Sequence, residues 1–213
     1  MTLVVLHGDA RPVELGELTA FEQVRFATAD GLAAAMPGAD ALLLWDFFST
    51  AVKDVWEHAD ALRWIHVAAA GVDKLLFPAL VDSEVVVTNS RGIFDRPIAE
   101  FVLASILGMA KDLPGSLRRQ QATTWEHRET EQVEGARALI VGTGSIGRAC
   151  ARLLTAAGLT VTGVGRTARD RDPDFGIVHE AGRICEVVGD ADYVVLIAPL
   201  TDATRGMIDA EVL

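Results

Sequence analysis

Residues 137–158 read RALIVGTGSIGRACARLLTAAG, and this stretch decides the fold. Its apolar residues 138–141 form a short run typical of a strand buried in a parallel sheet. The glycine motif G-x-G-x-x-G follows directly at 142–147. Apolar residues then recur at helical spacing on one face until Gly158, which provides a helix stop. The stretch therefore predicts a strand, a glycine loop and a helix in immediate succession.

Each glycine of this motif has a separate physical role. Gly142 permits a tight turn off the strand, Gly144 lets the backbone approach a pyrophosphate, and Gly147 lets the helix pack closely against the sheet. The helical pattern begins at Ile146, directly after Ser145 of the motif, and the unpaired N–H groups and positive dipole end at this helix start favour phosphate oxygens, so both residues are candidate cofactor contacts. A motif placed between a strand and a helix in this way indicates a dinucleotide site. The alternative is a tight turn that binds no ligand.

The loop after the second strand indicates which dinucleotide binds. This strand is predicted at 159–164, and an NAD enzyme usually carries Asp or Glu near its end, about 20 residues past the glycines. The chain instead has Arg166, Thr167 and Arg169. Two guanidinium groups in place of a carboxylate favour the 2′-phosphate of NADP, so NADP is the predicted cofactor and NAD the second choice. The alternative is a solvated loop whose positive charge is diluted by Asp170, Asp172 and Asp174.

Length and composition describe a soluble globular chain without a nucleic-acid or membrane partner. Its 213 residues can hold one large or two small domains, and 50% of them are apolar. Apolar runs stay shorter than a membrane span, and Met1–Leu6 resembles a strand rather than a signal peptide. The net charge of −11 argues against nucleic acid. Cys150 and Cys185 form no C-x-x-C pair, which predicts no metal site and a reducing, cytoplasmic location.

The N-terminal part of the chain alternates strand-like and helix-like runs. Alternation of this kind predicts a parallel sheet covered by helices on both faces. Turn-forming residues at 89–92 end this part. The strand-like runs are 3–6, 24–28, 41–45, 64–68 and 84–88. The helix-like runs are 31–36, 50–59 and 73–80.

A strongly apolar helix is predicted at 95–111. Asp95 is a candidate N-cap, and Pro97 fits the first turn. Apolar residues surround this helix, so either two domains or a second subunit must cover it. The polar residues 115–134, with Trp125 among them, predict an arm or a long connection that is a candidate interface element.

The remaining residues are predicted to complete three strands of a nucleotide-binding unit. A helix is predicted at 180–190 and a buried strand at 193–198, which Pro199 closes. Ligands lie beyond the carboxyl ends of such strands, so Ala198 and Pro199 should border the cofactor. A further helix is predicted to run from Thr204 to Leu213.

The chain resembles the D-isomer-specific 2-hydroxyacid dehydrogenase family over essentially its whole length. The landmarks stand in family order: AGVD at 70–73, VTNSRG at 87–92, AE at 99–100, the glycine motif, and APLTxxT at 198–204. The resemblance implies an α/β fold with a flavodoxin-like N-terminal substrate domain, residues 1–92. It also implies a Rossmann doubly wound nucleotide-binding domain, residues 93–213, truncated at its C-terminus. A homodimer is a further implication, in agreement with the apolar helix.

The same resemblance implies a substrate site in the N-terminal domain. Backbone amides near Ala70, Gly71 and Val72 would hold the substrate carboxylate, since such amides form an anion nest without a charged side chain. The alternative is a plain turn at a strand end. Trp45 and Phe47 follow an earlier strand and would shape the pocket, although aromatic residues at such positions often belong to the core.

Cofactor contacts are also implied by the resemblance. Ile98 would lie near the nicotinamide, and Thr204 belongs to the matching cofactor-binding stretch. The GRT pattern at 165–167 is similar to the NADPH-preferring glyoxylate/hydroxypyruvate reductase branch. Most members have His where this chain has Ala198, a difference that touches cofactor contacts rather than the chemistry.

In this family an Arg, a His and a Glu carry the catalysis, in segments that follow the helix near Thr204. None of the five histidines of the chain matches the catalytic position, so no catalytic side chain is assigned. The resemblance implies hydride transfer between NAD(P)H and a small 2-keto or 2-hydroxy acid. The alternative is an NAD(P)-sensing binding module of the same fold, which needs no catalytic residues.

Overall fold

The computed structural model describes residues 1–12, 18 and 20–212. Contacts between residues divide the chain into two units, Met1–Ile93 and Phe94–Leu213. Each unit is built around one five-stranded sheet.

The first unit contains a wholly parallel sheet with the order β2-β1-β3-β4-β5. This is the flavodoxin-like order, in which the chain crosses over between β1 and β3. All five predicted strands are confirmed, with ends that shift by one or two residues. The strands are β1 Thr2–Leu6, β2 Gln23–Ala27, β3 Ala41–Leu44, β4 Trp64–Val67 and β5 Val86–Asn89.

Three helices in this unit are shorter than predicted. They are α1 Leu32–Ala35, α2 Ala51–Asp54 and α3 Pro78–Val81. The predicted helix at 73–80 is wrong for its first residues, because Pro78 restricts the residue before it: Phe77 is extended, with φ −130° and ψ 157°. Helix α3 therefore begins at Pro78. Alternate residues of the central strands are buried in one apolar cluster with residues of these helices, including Val4, Leu6, Leu42, Leu44, Ile65, Leu32, Val52 and Leu80.

The second unit contains a mostly parallel sheet with the order β10-β6-β7-β9-β8. Strands β6, β7, β9 and β10 run parallel, whereas β8 pairs antiparallel with β9. The order β9-β7-β6-β10 is that of a Rossmann half, and the order reverses between β6 and β10. The strands are β6 Arg137–Val141, β7 Thr160–Gly165, β8 Arg169–Asp172, β9 Gly176–Glu180 and β10 Tyr193–Leu196.

The expectation of three strands in this unit is wrong, because β8 and β9 were not predicted. Strand β8 has the sequence RDRD, which carries no alternating apolar signal. Its pairing with β9 and the burial of Asp172 hold it in place.

The predicted strand–loop–helix stretch is confirmed as β6 followed by helix α6. The helices of the second unit are α4 Asp95–Ala110, α5 Leu113–Gln121, α6 Ser145–Ala156 and α7 Ile184–Val187. Helix α4 packs on α6 through a shared apolar cluster that includes Ala99, Ile106, Ala110, Cys150, Ala151 and Leu154. In place of one helix at 180–190, α7 is flanked by short 3-10 turns at 181–183 and 188–190.

The ends of the helices in the second unit differ from the prediction. Asp95 is the first residue of α4 rather than its cap, a position that Phe94 occupies. The predicted connection 115–134 begins within α5, whose Asp112 cap accepts a hydrogen bond from the Gly115 amide.

Residues 202–206 form turns instead of the predicted helix, because Gly206 adopts φ +68° and leaves the helical region. The expected end of that helix, Leu213, lies outside the described residues.

Helix α4 is 16 residues long. Within residues 1–12, 18 and 20–212, no helix combines the length and apolarity that a membrane crossing requires.

Candidate functional site

The glycine loop follows the carboxyl end of β6 and packs directly against the backbone that follows β10. Gly142 has φ +116°, and a Cβ there would lie 2.6 Å from the Ala198 nitrogen and 2.7 Å from the Ile197 carbonyl carbon. A Cβ at Gly147 would overlap the carbonyl oxygen of Gly142. Both positions therefore require glycine for backbone packing alone.

Gly144 differs from Gly142 and Gly147, the other two glycines of the motif, because no atom fills the space beside it. It has extended backbone with φ −76° and ψ −166° at the N-cap of α6, and its side-chain direction meets no atom within 4 Å. No side chain of the described residues caps this helix. The start of α6 thus has no side-chain cap and open space beside Gly144, at the crossover between β6 and β10, where helix amides of this kind favour a pyrophosphate.

The end of β7 packs against the same loop. A Cβ at Gly165 would lie 2.7 Å from the Thr143 hydroxyl oxygen, so the residues after β7 start beside the glycine motif. Arg166 and Thr167 follow and are exposed. No ion pair involves Arg166 within the described ranges. By contrast, Arg169 Nε lies 2.9 Å from Asp172 Oδ2, so part of the predicted phosphate-binding charge already has a protein partner.

A buried carboxylate connects the β8–β9 hairpin to the glycine-loop helix. The guanidinium of Arg148, on α6, donates to both oxygens of Asp172 at 2.9 Å and to Asp174 Oδ2 at 2.7 Å. The Asp172 side chain is only 2% exposed. Hydrogen bonds from Arg148 lower its pKa from 3.8 to about 2. The interpretation of Asp172 and Asp174 as solvated charges is therefore wrong.

The buried pair predicts a specific loss of stability in acid. Because the folded-state pKa of Asp172 is depressed, its contribution is complete above 3.8 and is lost as pH falls towards about 2. We expect the contribution of ionised Asp172 to the free energy of unfolding to reach about 2 kcal/mol. Urea unfolding of wild type and Asp172→Asn at a series of pH values measures it: the stability difference should shrink below about pH 4. The exposed neighbour variant Asp170→Asn is the control, and a difference that is constant with pH would contradict the prediction.

The segment after β10 forms a closed turn next to the glycine loop. The Thr204 hydroxyl accepts a hydrogen bond from the Thr201 amide at 2.8 Å and donates one to the Pro199 carbonyl. Its polar atom thus shapes the turn that carries Ala198 and Pro199. Ile98 is half-buried in the first turn of α4.

A separate cavity of about 220 Å³ lies at the carboxyl ends of β3 and β4 in the first unit. Gly71 and Val72 line it, and the Asn89 side-chain amide donates to the Ala70 carbonyl at 2.6 Å, which holds the turn. Phe47 lines the cavity as well. Trp45, at 40% exposure, and Ala70 are not among the described lining residues, and their substrate roles stay predictions.

Sequence reasoning missed two residues at this cavity. Phe48 lines it next to Phe47, and Lys74 is its one cationic lining residue among those described. A lysine immediately after the AGVD landmark was the available signal, since a cation beside backbone amides strengthens an anion site.

The chain matches known proteins across both units. The family model described as "D-isomer specific 2-hydroxyacid dehydrogenase, NAD binding domain" matches residues 103–213. An uncharacterized protein in the mprR 3′ region of Streptomyces coelicolor is 38% identical over 147 residues, 68% of this chain and 51% of that protein. D-3-phosphoglycerate dehydrogenase of Methanocaldococcus jannaschii is 26% identical over 210 residues, 97% of this chain and 39% of that protein.

A solved structure agrees with the same assignment. The D-isomer specific 2-hydroxyacid dehydrogenase family protein from Aeromonas salmonicida is 28% identical, with a TM-score of 0.76 over 95% of this chain and 65% of that one. The chain spans about half the length of the curated Streptomyces coelicolor relative, and 39% of the length of the Methanocaldococcus jannaschii relative. The sheet order, the glycine loop and the family match lead to one conclusion: the chain belongs to the D-isomer specific 2-hydroxyacid dehydrogenase family.

Proposed function

We propose that the chain serves in an NAD(P)-dependent 2-hydroxyacid dehydrogenase, which transfers a hydride between the cofactor and a small 2-keto or 2-hydroxy acid. The observation that carries the proposal is the open space beside Gly144, at the uncapped start of α6. When bound, the cofactor supplies the hydride chemistry. The chain's own contribution is to bind and orient both ligands.

In this proposal each unit holds one partner of the reaction. The first unit, with Ala70, Gly71 and Val72, is the substrate domain, and the second is the nucleotide-binding domain. Backbone amides at 70–72 donate hydrogen bonds to the substrate carboxylate, and Lys74 offsets the negative charge of Asp73, which lines the same cavity. Amides of Gly144, Ser145 and Ile146 hold the pyrophosphate, and Ile98, Ala198 and Pro199 border the nicotinamide side.

Keto-acid binding separates this proposal from a module that only senses the cofactor. Glyoxylate added to the isotope-labelled chain should shift the amide resonances of residues 70–72 and 74, in a saturable manner. Ethylene glycol, which has no carboxylate, is the matched control and should leave them unchanged. Cofactor binding without any glyoxylate response would favour the sensing module instead.

We propose NADP as the preferred cofactor, with NAD second. Arg166 and Thr167 are exposed beside the glycine loop, where the adenosine ribose would lie. Arg169 follows directly at the start of β8, although its charge is paired with Asp172. Guanidinium groups favour a 2′-phosphate, whereas a carboxylate would repel it.

Replacing Arg166 with alanine tests this preference. The Kd for NADPH should rise at least about tenfold, since a charge-assisted hydrogen bond is worth about 1.5–3 kcal/mol. The Kd for NADH should stay within about twofold. Calorimetric titration of both cofactors gives these values. Arg171→Ala, an exposed arginine of β8, is the control; equal losses in both arginine variants would contradict a specific role for Arg166.

We also propose that the chain forms a homodimer through the second unit. Phe101 and Met109 are 73% and 63% exposed on α4, and Leu113 and Leu117 of α5 are exposed as well. Large apolar side chains exposed on two consecutive helices are typical of an interface.

Phe101→Glu should convert the dimer to a monomer, because a charge in an apolar interface is desolvated without a partner. Sedimentation equilibrium measures the mass directly. Val81→Ser, at an equally exposed apolar position of the first unit, should leave the dimer intact. A wild-type chain that is monomeric at high concentration would contradict the proposal.

A further inference from the structure

The carboxylate of Asp172 lies where three parts of the second unit meet. It accepts two of the three hydrogen bonds that the Arg148 guanidinium donates from α6, as described above. It also accepts from the amides of Asp174 and Phe175 at 3.1 and 3.4 Å, which closes the turn between β8 and β9. Its other neighbour is Arg169, at the start of β8. One buried group therefore fixes the helix, the hairpin turn and the loop end together.

Arg148 reinforces this connection from the helix side. Its guanidinium lies 5.6 Å from the centre of the Phe175 ring and also binds Asp174. Arg152, one turn further along α6, lies 3.1 Å from Asp174. A planar guanidinium held by two carboxylates and a ring has little freedom, so the hairpin cannot shift relative to α6 without breaking several bonds.

The local charge remains positive in spite of the carboxylates of Asp172 and Asp174. Ion pairs join Asp172 and Asp174 to three arginines, at 148, 152 and 169. The exposed Arg166 adds a further positive charge. The carboxylates thus arrange the arginines without reversing the sign of the field that a phosphate would meet.

Arg169 has donors that the protein does not use. Its contact with Asp172 is an ion pair without hydrogen-bond alignment, and its Nε and Nη2 atoms are buried without an aligned acceptor among the described residues. These two donors have no accessible surface, so a ligand can contact Arg169 only through the exposed 38% of its side chain. A phosphate oxygen next to the loop is an acceptor of the right chemistry.

We propose that Asp172 is a positioning residue for cofactor selection, which acts through Arg148 and Arg169. It holds the 166–169 loop at a set distance from the start of α6, so that the pyrophosphate and 2′-phosphate subsites match one dinucleotide. Asp172 itself touches neither phosphate. The inference rests on the proposed binding of NADP at the glycine loop.

Two variants test this role by the selectivity ratio, Kd for NADH divided by Kd for NADPH. Asp172→Asn removes the charge that orients Arg148 and Arg169. Arg148→Lys keeps the positive charge but loses the bidentate hydrogen bonds to Asp172. In each variant the ratio should fall at least about fivefold, while the Kd for NADH changes less than about twofold. Arg148→Lys keeps the test valid if Asp172→Asn does not fold. Asp170→Asn, exposed on the same strand, is the control and should keep the wild-type ratio.

The outcomes separate the inference from the function on which it rests. A wild-type chain without preference for NADPH overturns both. A selective wild type whose two variants keep its ratio, or bind both cofactors equally more weakly, overturns the positioning role alone. Tighter NADPH binding by Asp172→Asn also overturns it, because Asp172 would then act only by repulsion.

Discussion

Gly144→Ala is expected to weaken cofactor binding at least about tenfold in a chain that still folds. The new methyl group meets no protein atom within 4 Å, and the φ of −76° suits any residue, so the folded structure has no reason to change. The methyl group would occupy the space that the pyrophosphate needs in order to reach the α6 amides. Calorimetric titration with NADPH and thermal unfolding of the same sample measure the two effects.

A matched variant shows whether the effect belongs to the loop. Gly182→Ala also adds a methyl group where no atom lies within 4 Å, but in the 3-10 turn before α7. It should retain wild-type affinity. Unchanged NADPH affinity in Gly144→Ala would show that the dinucleotide does not approach this backbone.

Gly147→Ala is expected to destabilise the second unit by about 3 kcal/mol. Its Cβ would overlap the Gly142 carbonyl oxygen, and neither backbone can withdraw. Gly142 is itself held against Ala198 and Ile197, while α6 is packed on α4 through Cys150, Ala151 and Leu154. Here the glycine is required by packing, whereas at Gly144 it is required by the ligand.

Urea unfolding followed by circular dichroism measures this loss. Gly144→Ala serves as the control, since it adds the same methyl group within the same motif but overlaps no protein atom. A free energy of unfolding within about 1 kcal/mol of wild type would contradict the close packing of α6 on the loop.

The predictable parts of the molecule are those in which local pattern and tertiary structure agree. Apolar runs bounded by turns located all strands of the first sheet and β6, β7 and β10 of the second. The pattern is clearest in β1, β3 and β6, which are buried and largely apolar, whereas β2 and β5 are only partly buried. The glycine motif located the start of α6 to within one residue, since the helical pattern begins at Ile146 and the helix at Ser145. These features need no knowledge of distant contacts.

The features that the sequence concealed depend on partners far along the chain. Strand β8 is fully charged, and only its pairing with β9 and the ion pair of Asp172 with Arg148, 24 residues away, keep it in the sheet. Helix α5 begins with Leu113-Pro114-Gly115, which suggests a break, although proline fits a first turn. Phe48 and Lys74 reach one cavity only because β3 and β4 are neighbours in the sheet.

The central claim is that a dinucleotide phosphate binds the amides at the start of α6. Titrating the isotope-labelled chain with NADPH and following every amide resonance tests it most directly. The account predicts saturable shifts that are largest at Gly144, Ser145 and Ile146, with a second group at 166–169. Shifts confined to other parts of the chain, or no shifts at millimolar NADPH, would contradict it.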